Sequence, residues 1–514
     1  MKRLYTGTVG LIILSTLAIT VTPASRAAGF GSLVEELLEQ LSEVLFGFRR
    51  PLPNPANAGD AVPREMATAN DRQLLAGEGE LQAEFVARNV AVRGDMIALW
   101  PNENDYTHLI ICIEQSRRGM TPAGNEGLNP AVQRVDVATR QVATILHGMS
   151  RCDGVRTTPW GTVLAAEEVD DGRVYEIIDP TGTNGHWVAD RVSGDIRDGI
   201  DSPRASTQVI QRRALPTISW EGFTVLESGV VFGVDELTPG SDGLPDSDGG
   251  ALFKFLPDRR RNESGPLSDL SDSPLVSGKS FAMTISCRES TSSTFPQYGQ
   301  GCEVGQGAWV KVNAPTARSD ADAAGATGHF KPEDLHRDPL YEGEGVRLCW
   351  TDSGRASAGH FAEVMCAIDA DPDAADERVD PRTGLVYLAA GDEFAVVTAN
   401  RFVEGDGRFN SYDNLAFQPV TGNVYVAEDA QFGEVFACLP DGDDRDTRSD
   451  GCVALLSITD PDAEPTGFIF DATGATAFYI VQHGEQSEAL KDFVSNPVDG
   501  ETDDLIKITG FRLL

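Results

Sequence analysis

Lysine is scarce in this chain. It carries only seven among 42 basic residues, against 79 acidic ones, for a formal net charge of −37. A duplex or single-stranded nucleic acid needs cationic surface to displace its counterions, so such a partner is excluded. Histidine is nearly as rare, at seven residues. No Gly-x-Ser-x-Gly elbow accompanies them, which argues against a Ser/His/Asp hydrolase. Cysteine and histidine do not fall at zinc-finger spacing, and no glycine-rich phosphate loop is present. Beyond Val21 there is no long apolar run, so no membrane span is expected in the mature chain.

What is there begins with a leader. Lys2 and Arg3 precede an apolar stretch from Val9 to Val21, and small residues follow from Thr22 to Ala28. This charged–apolar–small order reads as a secretory signal peptide over residues 1–27, cut after Ala27, with a periplasmic or extracellular destination. No twin-arginine pair stands before the apolar stretch, which points to general secretion. Eight cysteines in an exported chain permit disulfides. Cys287/Cys302 and Cys438/Cys452 bracket turn-rich loops, and Cys349/Cys366 forms a third candidate pair. Cys112 and Cys152 remain, and they either pair or include a free thiol.

Residues 28–65 form a lead-in to the main body. Leu33, Leu37, Leu38, Leu41, Val44 and Leu45 recur at helical spacing with Glu35, Glu36, Glu39 and Glu43 between them. That polar face is acidic, opposite to the usual membrane-surface pattern, so packing on the domain or on another copy is expected. A stretch rich in Pro, Asn, Ala and Gly follows, from Pro51 to Pro63. Residues 66–514 show no comparable break. Strand–turn–strand phrases recur there, among them Val132–Thr139, Gly172–Gly182, Gly250–Asp258, Leu415–Val426 and Ile469–Ile480. Such hairpins over several hundred residues predict an all-β fold, a β-propeller of six blades with short helical decorations. A large β-sandwich or two β domains is the competing reading. The chain is expected to be a monomer.

Acidic residues cluster where these hairpins end: Glu167-Glu168, Asp235-Glu236, Glu333-Asp334, Asp413-Asn414 and Glu428-Asp429. Glu221, Glu464, His483 and Glu485 join them singly. In a propeller such positions converge on the central channel. Converging carboxylates cannot all stay ionised without cations between them, and hard divalent ions with oxygen ligands answer that need.

Several phrases resemble one family. Thr158-Pro159-Trp160-Gly161-Thr162-Val163-Leu164-Ala165-Ala166-Glu167-Glu168 is similar to a signature of the PhoX-type alkaline phosphatases. Lys331-Pro332-Glu333-Asp334-Leu335, Tyr412–Phe417 with Gly422–Asp429, Glu464–Phe468 and Gln482–Glu485 match further phrases in the same order. The resemblance spans residues 130–490. It implies a six-bladed propeller with a central cluster of calcium and ferric iron that hydrolyses small-molecule phosphate monoesters. Carried over, Glu168, Glu221, Glu333, Asp413, Asp429 and Glu464 become metal ligands, with Asp235 and Glu236 matching less clearly. His483 is either a ligand or a channel-lining residue. The family places an iron-binding cysteine at Cys152; a disulfide to Cys112 would abolish that role, and both readings stay open. Lys331 stands where the family has an arginine facing phosphate, and Trp220 where relatives have histidine. A metal-dependent phosphatase and a non-catalytic, calcium-stabilised binding propeller are therefore the two functional expectations.

Overall fold

The computed structural model describes residues 30–513, except 78, 242, 244–247, 264, 286–302, 382–383, 390–395 and 441–450. The leader and the Cys287/Cys302 pair lie outside the described residues.

The recurring hairpins become antiparallel blades around a channel. The innermost strand of each blade and its neighbour are β1 (Gly94–Trp100) with β2 (His108–Ile113), β3 (Cys152–Thr157) with β4 (Val163–Glu167), and β5 (Trp220–Val225) with β6 (Val231–Asp235). The other three are β7 (Pro332–Arg337) with β8 (Val346–Asp352), β9 (Tyr412–Phe417) with β10 (Val424–Glu428), and β11 (Glu464–Phe470) with β12 (Thr476–Gln482). Each inner strand lies against the next in sequence order, and β11 returns to lie against β1. The ring therefore has six blades, as the hairpin phrases led us to expect.

Closure uses both ends of the propeller. Gln82–Ala91, just upstream of β1, pairs with Thr502–Thr509 and forms the outermost strand of the sixth blade. A closed ring leaves no long sheet edge to aggregate. The third and fourth blades are also joined at their outer edges. There Gly305–Val312 pairs with both Gly278–Ile285 and Val397–Glu404.

Blade strands are covered on both faces, which explains why many read as continuous apolar runs rather than as alternation. In β2, Leu109, Ile110, Ile111, Cys112 and Ile113 are all fully buried. Ile110 and Cys112 pack toward the second blade, whereas Leu109, Ile111 and Ile113 pack toward the sixth. The expected N-terminal helix is α1 (Phe30–Phe46); its Leu38 and Phe46 are buried against Tyr425, Phe470 and Phe511 of the last two blades. The proline-rich stretch after it follows the edge of the fifth blade, where the Leu52 amide donates to the Ala454 carbonyl at 2.9 Å. Buried Arg64 then meets Asp504 at 2.9 Å, beside Arg72 and Arg88, and ties this segment to the closing strand.

The Thr-Pro-Trp-Gly-Thr phrase forms the β3–β4 turn, at the opposite end of the blade from the start of β3. Trp160 Nε1 and Thr162 Oγ1 donate to Glu176 Oε1 at 2.8 and 2.7 Å. Arg212 Nε and Ser273 Oγ donate to Glu176 Oε2 at 2.5 and 2.8 Å. The most recognisable phrase of the chain is thus a structural knot around one buried carboxylate. Glu176→Ala strands four donors, one of them the buried Arg212 guanidinium. It is expected to cost about 3–5 kcal/mol, the range for removing one partner of a buried ion pair, read as a fall in the thermal unfolding midpoint. An unchanged midpoint would contradict this role.

Candidate metal centre

The six inner strands enter from one end of the channel, and each carries a β-bulge. One extra residue falls between Gly94 and Ile97, Cys152 and Val155, Trp220 and Phe223, Pro332 and Leu335, Tyr412 and Leu415, and Thr466 and Ile469. Bulges re-aim side chains. In the first five blades the residue that follows the opening position is acidic: Asp95, Asp153, Glu221, Glu333 and Asp413. In the sixth that place belongs to Gly467, in the left-handed region at φ 63°.

A second acidic tier comes from the neighbouring strands. Just past β2, β4, β6 and β10 stand Glu114, Glu168, Glu236 and Asp429, and past β8 stands Ser353. Their backbone N–H groups donate to the carbonyls of Arg93, Arg151, Ser219, Ser411 and Lys331 respectively, at 2.8–3.0 Å. The same bond thus fixes the mouth of five blades.

The two tiers meet in three overlapping groups: Asp95, Glu114 and Asp153; Asp153, Glu168 and Glu221; and Glu221, Glu333 and Asp413. Within each group one oxygen per residue lies within 4.8 Å of the others. Six of these seven side chains are buried, and Asp413 is partly so. Asp95 Oδ1, Asp153 Oδ1 and Glu221 Oε2 are buried without a hydrogen-bond partner, as is Glu464 Oε2 nearby. Burial first, and then neighbouring carboxylates, push these acids up: Asp95 to about 7, with Asp153, Glu168, Glu221 and Asp413 well above the usual range. Burial also raises Glu333 to about 8, against the opposing pull of Lys331. Buried acceptor atoms that face one another without donors form a site that can hold hard cations through oxygen ligands.

Around this core, Lys331 pairs with Glu333 and, at 3.0 Å, with Glu236. Burial pushes Glu236 up, but Lys331, a hydrogen bond with Glu168 and the charge of Arg151 together bring the carboxyl below its ordinary value. Glu464 is raised by burial and by Asp429, and its Oε1 stands 3.3 Å from His483 Nε2. Burial, followed by the charge of Arg93, holds the His483 imidazole below its usual value. Deeper in the channel, Asp334 accepts from Arg156 at 2.7 Å and from the Leu335 and Leu415 amides. Despite burial, His336 and Arg156 lower Asp334 to about 2, so it is an ionised brace rather than part of the unpaired set.

The structure brings Glu168, Glu221, Glu333 and Asp413 into the three groups and sets Glu236, Asp429, Glu464, His483 and Lys331 beside them. Two of the sequence-based ligands are corrected. Asp235 points out of the channel, because it lies one residue before Glu236 on a strand whose side chains alternate. Its two oxygens accept from Arg318 Nη2 and Nε at 2.6 and 2.7 Å and from the Ser219 amide. Glu167 is held by Arg191 in the same way. Cys152 is bonded to Cys112 (S–S 2.00 Å), so it offers no thiolate to a metal. The other described pairs, Cys349–Cys366 and Cys438–Cys452, are disulfides as expected. Asp95, Glu114 and Asp153 escaped the sequence reading, which sought acidic pairs. The signal for Asp95 and Asp153 is a cation–x–acid phrase opening an apolar strand, Arg93-Gly94-Asp95 and Arg151-Cys152-Asp153, like Lys331-Pro332-Glu333; Glu114 carries no such signal.

Residues 114–485, more than two thirds of the chain, match the alkaline phosphatase PhoX family. The chain belongs to the PhoX family. Its activity is accordingly that of a phosphoric monoester hydrolase. The structure of Pseudomonas fluorescens PhoX in complex with vanadate, a transition state analogue, is similar, with a TM-score of 0.50 and 13% identity over 88% of this chain and 97% of that one. A gluconolactonase from Xanthomonas campestris matches at TM-score 0.37 and 10% identity, covering 90% and 98% of the two chains. Regucalcin from Agrobacterium tumefaciens matches at TM-score 0.37 and 12% identity, covering 84% and 96%. A comparison with curated proteins finds no significant match. Among the described residues no helix is long and apolar enough to cross a membrane.

Carboxyls whose pKa is raised on folding bind more protons folded than unfolded. The contribution of these carboxyls to metal-free stability should therefore be greatest below the ordinary carboxylate range, near about 4, and fall as pH rises, whereas acids held low, such as Asp334, lose theirs only in acid. The loss runs through about 7 and 8, where Asp95 and Glu333 ionise. Calorimetry of chelator-treated protein is expected to show a lower unfolding midpoint at pH 8 than at pH 5.5, with added calcium raising the midpoint more at pH 8. Equal midpoints at both pH values, with equal calcium effects, would contradict a cluster of mutually repelling acids.

Proposed function

We propose that this PhoX-family chain is an exported, calcium-dependent phosphomonoesterase acting on small organic phosphate esters. The observation that carries the reading is the set of buried carboxylate oxygens at the channel mouth that face one another without donors. Their donor set is all oxygen, which suits calcium. Asp95, Glu114, Asp153, Glu168, Glu221, Glu333 and Asp413 would hold the ions. Thiolate-bound iron does not fit, because Cys152 is taken by Cys112, and no step is assigned to iron.

Calcium bound there would neutralise phosphate oxygens and make an oxygen nucleophile available. The protein's own groups supply the rest. Lys331 is the cation placed to meet a phosphoryl oxygen, as a point charge rather than a bidentate fork. Glu236 and Glu333 fix its ammonium group at the edge of the cluster. Asp429, Glu464 and His483 line the side of the mouth formed by the fifth and sixth blades and supply further ligands. The disulfides support an oxidising compartment, in agreement with the leader read at residues 1–27. Family membership weighs against the non-catalytic binding propeller.

The test is hydrolysis of 4-nitrophenyl phosphate at alkaline pH before chelation, after it, and on return of calcium or ferric iron. Activity should vanish with the chelator and return with calcium alone. Lys331→Ala should lower kcat/KM by about 10²-fold, the scale of losing one charge-stabilising donor, with calcium content retained. Turnover that survives chelation, or that only iron restores, would sink the calcium reading.

A further inference from the structure

The residue just before each inner strand occupies one repeated place at the mouth. In the first five blades it is Arg93, Arg151, Ser219, Lys331 and Ser411, each accepting the repeated backbone bond from the neighbouring strand. Four of these five are in the left-handed region, at φ 66° for Arg93, 51° for Arg151, 60° for Lys331 and 54° for Ser411. None is glycine, although that conformation disfavours other residues. Where non-glycine residues hold such strain at a functional mouth, their side chains are worth asking about.

Three of the five are cations, and they differ in what they touch. Lys331 is engaged by Glu236 and Glu333. Arg151 is engaged by Glu114 at 2.5 Å and Glu168 at 2.7 Å. Arg93 is exposed, and among the described residues its guanidinium makes no hydrogen bond or ion pair. Its backbone, by contrast, is pinned. The Arg93 N–H donates to Asp503 Oδ2 at 2.6 Å, and its carbonyl accepts from the Glu114 N–H at 2.8 Å. The result is a free fork on a fixed base. In a ring of six blades the first and fourth are opposite, so the backbones of Arg93 and Lys331 stand on opposite sides of the mouth, and the Arg93 charge is felt at His483, just past the sixth-blade strand β12.

We propose that Arg93 is a specificity-determining residue that binds a second anionic group, carried on the leaving-group side of the phosphate ester. With the reacting phosphoryl beside Lys331 and the acid cluster, a short leaving group extends toward the opposite blade, where a guanidinium can grip phosphate or carboxylate through two parallel hydrogen bonds. The surrounding acids would repel an anionic leaving group, and this unpaired cation offsets that repulsion at one point. The inference rests on the phosphatase reading and adds a substrate class to it: esters with a second negative charge a few bonds away.

The experiment compares propyl phosphate with propane-1,3-diyl bisphosphate on the calcium-loaded protein, measuring released phosphate for wild type, Arg93→Ala and Arg93→Lys. Wild type should favour the bisphosphate in kcat/KM. Arg93→Ala should reduce the ratio of the two kcat/KM values by about tenfold, mainly through KM, and Arg93→Lys should restore part of it. A ratio that Arg93→Ala leaves within about twofold of wild type would overturn the assignment. If wild type hydrolyses neither ester, the phosphatase reading fails, and calorimetric titration of both esters decides the Arg93 claim alone. A bisphosphate preference in binding that Arg93→Ala abolishes supports it, and equal affinities in wild type refute it.

Discussion

Mutual repulsion among carboxylates at one end of the channel is the constraint on which the rest of this structure turns. Two unit charges about 4.8 Å apart repel by about 3–4 kcal/mol at an effective dielectric near 20. Seven acids in three overlapping groups multiply that term, whereas a folded domain holds only about 5–15 kcal/mol of net stability. Arg151 offsets Glu114 and Glu168, and Lys331 offsets Glu333, but two cations do not balance seven ionised acids. Either protons or cations must fill the mouth, and at alkaline pH protons are scarce.

The propeller is well suited to building such a site because it repeats one local device. A bulge turns an acid inward at the start of an inner strand, and the neighbouring strand ends in a pair whose members point opposite ways. In Glu167-Glu168 and Asp235-Glu236 the first member takes an arginine from outside its blade, Arg191 or Arg318, and the second enters the mouth. One acidic pair thus supplies both anchorage and chemistry. The Cys112–Cys152 bridge fastens the first blade to the second at the residue next to Asp153. Below the cluster, Asp334 is paired with Arg156 and His336, so it adds no unpaired carboxylate to the seven.

Much of this was legible in the sequence. Strand–turn–strand phrases led to the propeller, because turn chemistry is local. Glu168, Glu221, Glu333 and Asp413, which the structure groups at the mouth, are legible because each sits beside an apolar strand within a recognisable phrase. Asp235 was misjudged because adjacent residues on a strand face opposite ways, and which one faces inward depends on register, which no single strand reveals. Asp95 and Asp153 were overlooked for a related reason: a lone acid after glycine or cysteine looks like any strand end until the ring places it beside its counterparts. The role of Cys152 depended on whether Cys112, 40 residues away, came within bonding reach.

The central claim is that cations resident in the mouth hold these carboxylates together, and metal content tests it most directly. Protein desalted at pH 8 without chelator can be assayed by mass spectrometry of the elements, alongside Asp153→Asn. The account predicts more than one calcium per chain in the native protein. It also predicts loss of more than one on substitution, because Asp153 belongs to two of the three groups. A native protein without stoichiometric divalent cation at that pH, or an Asp153→Asn variant with undiminished calcium, would contradict it.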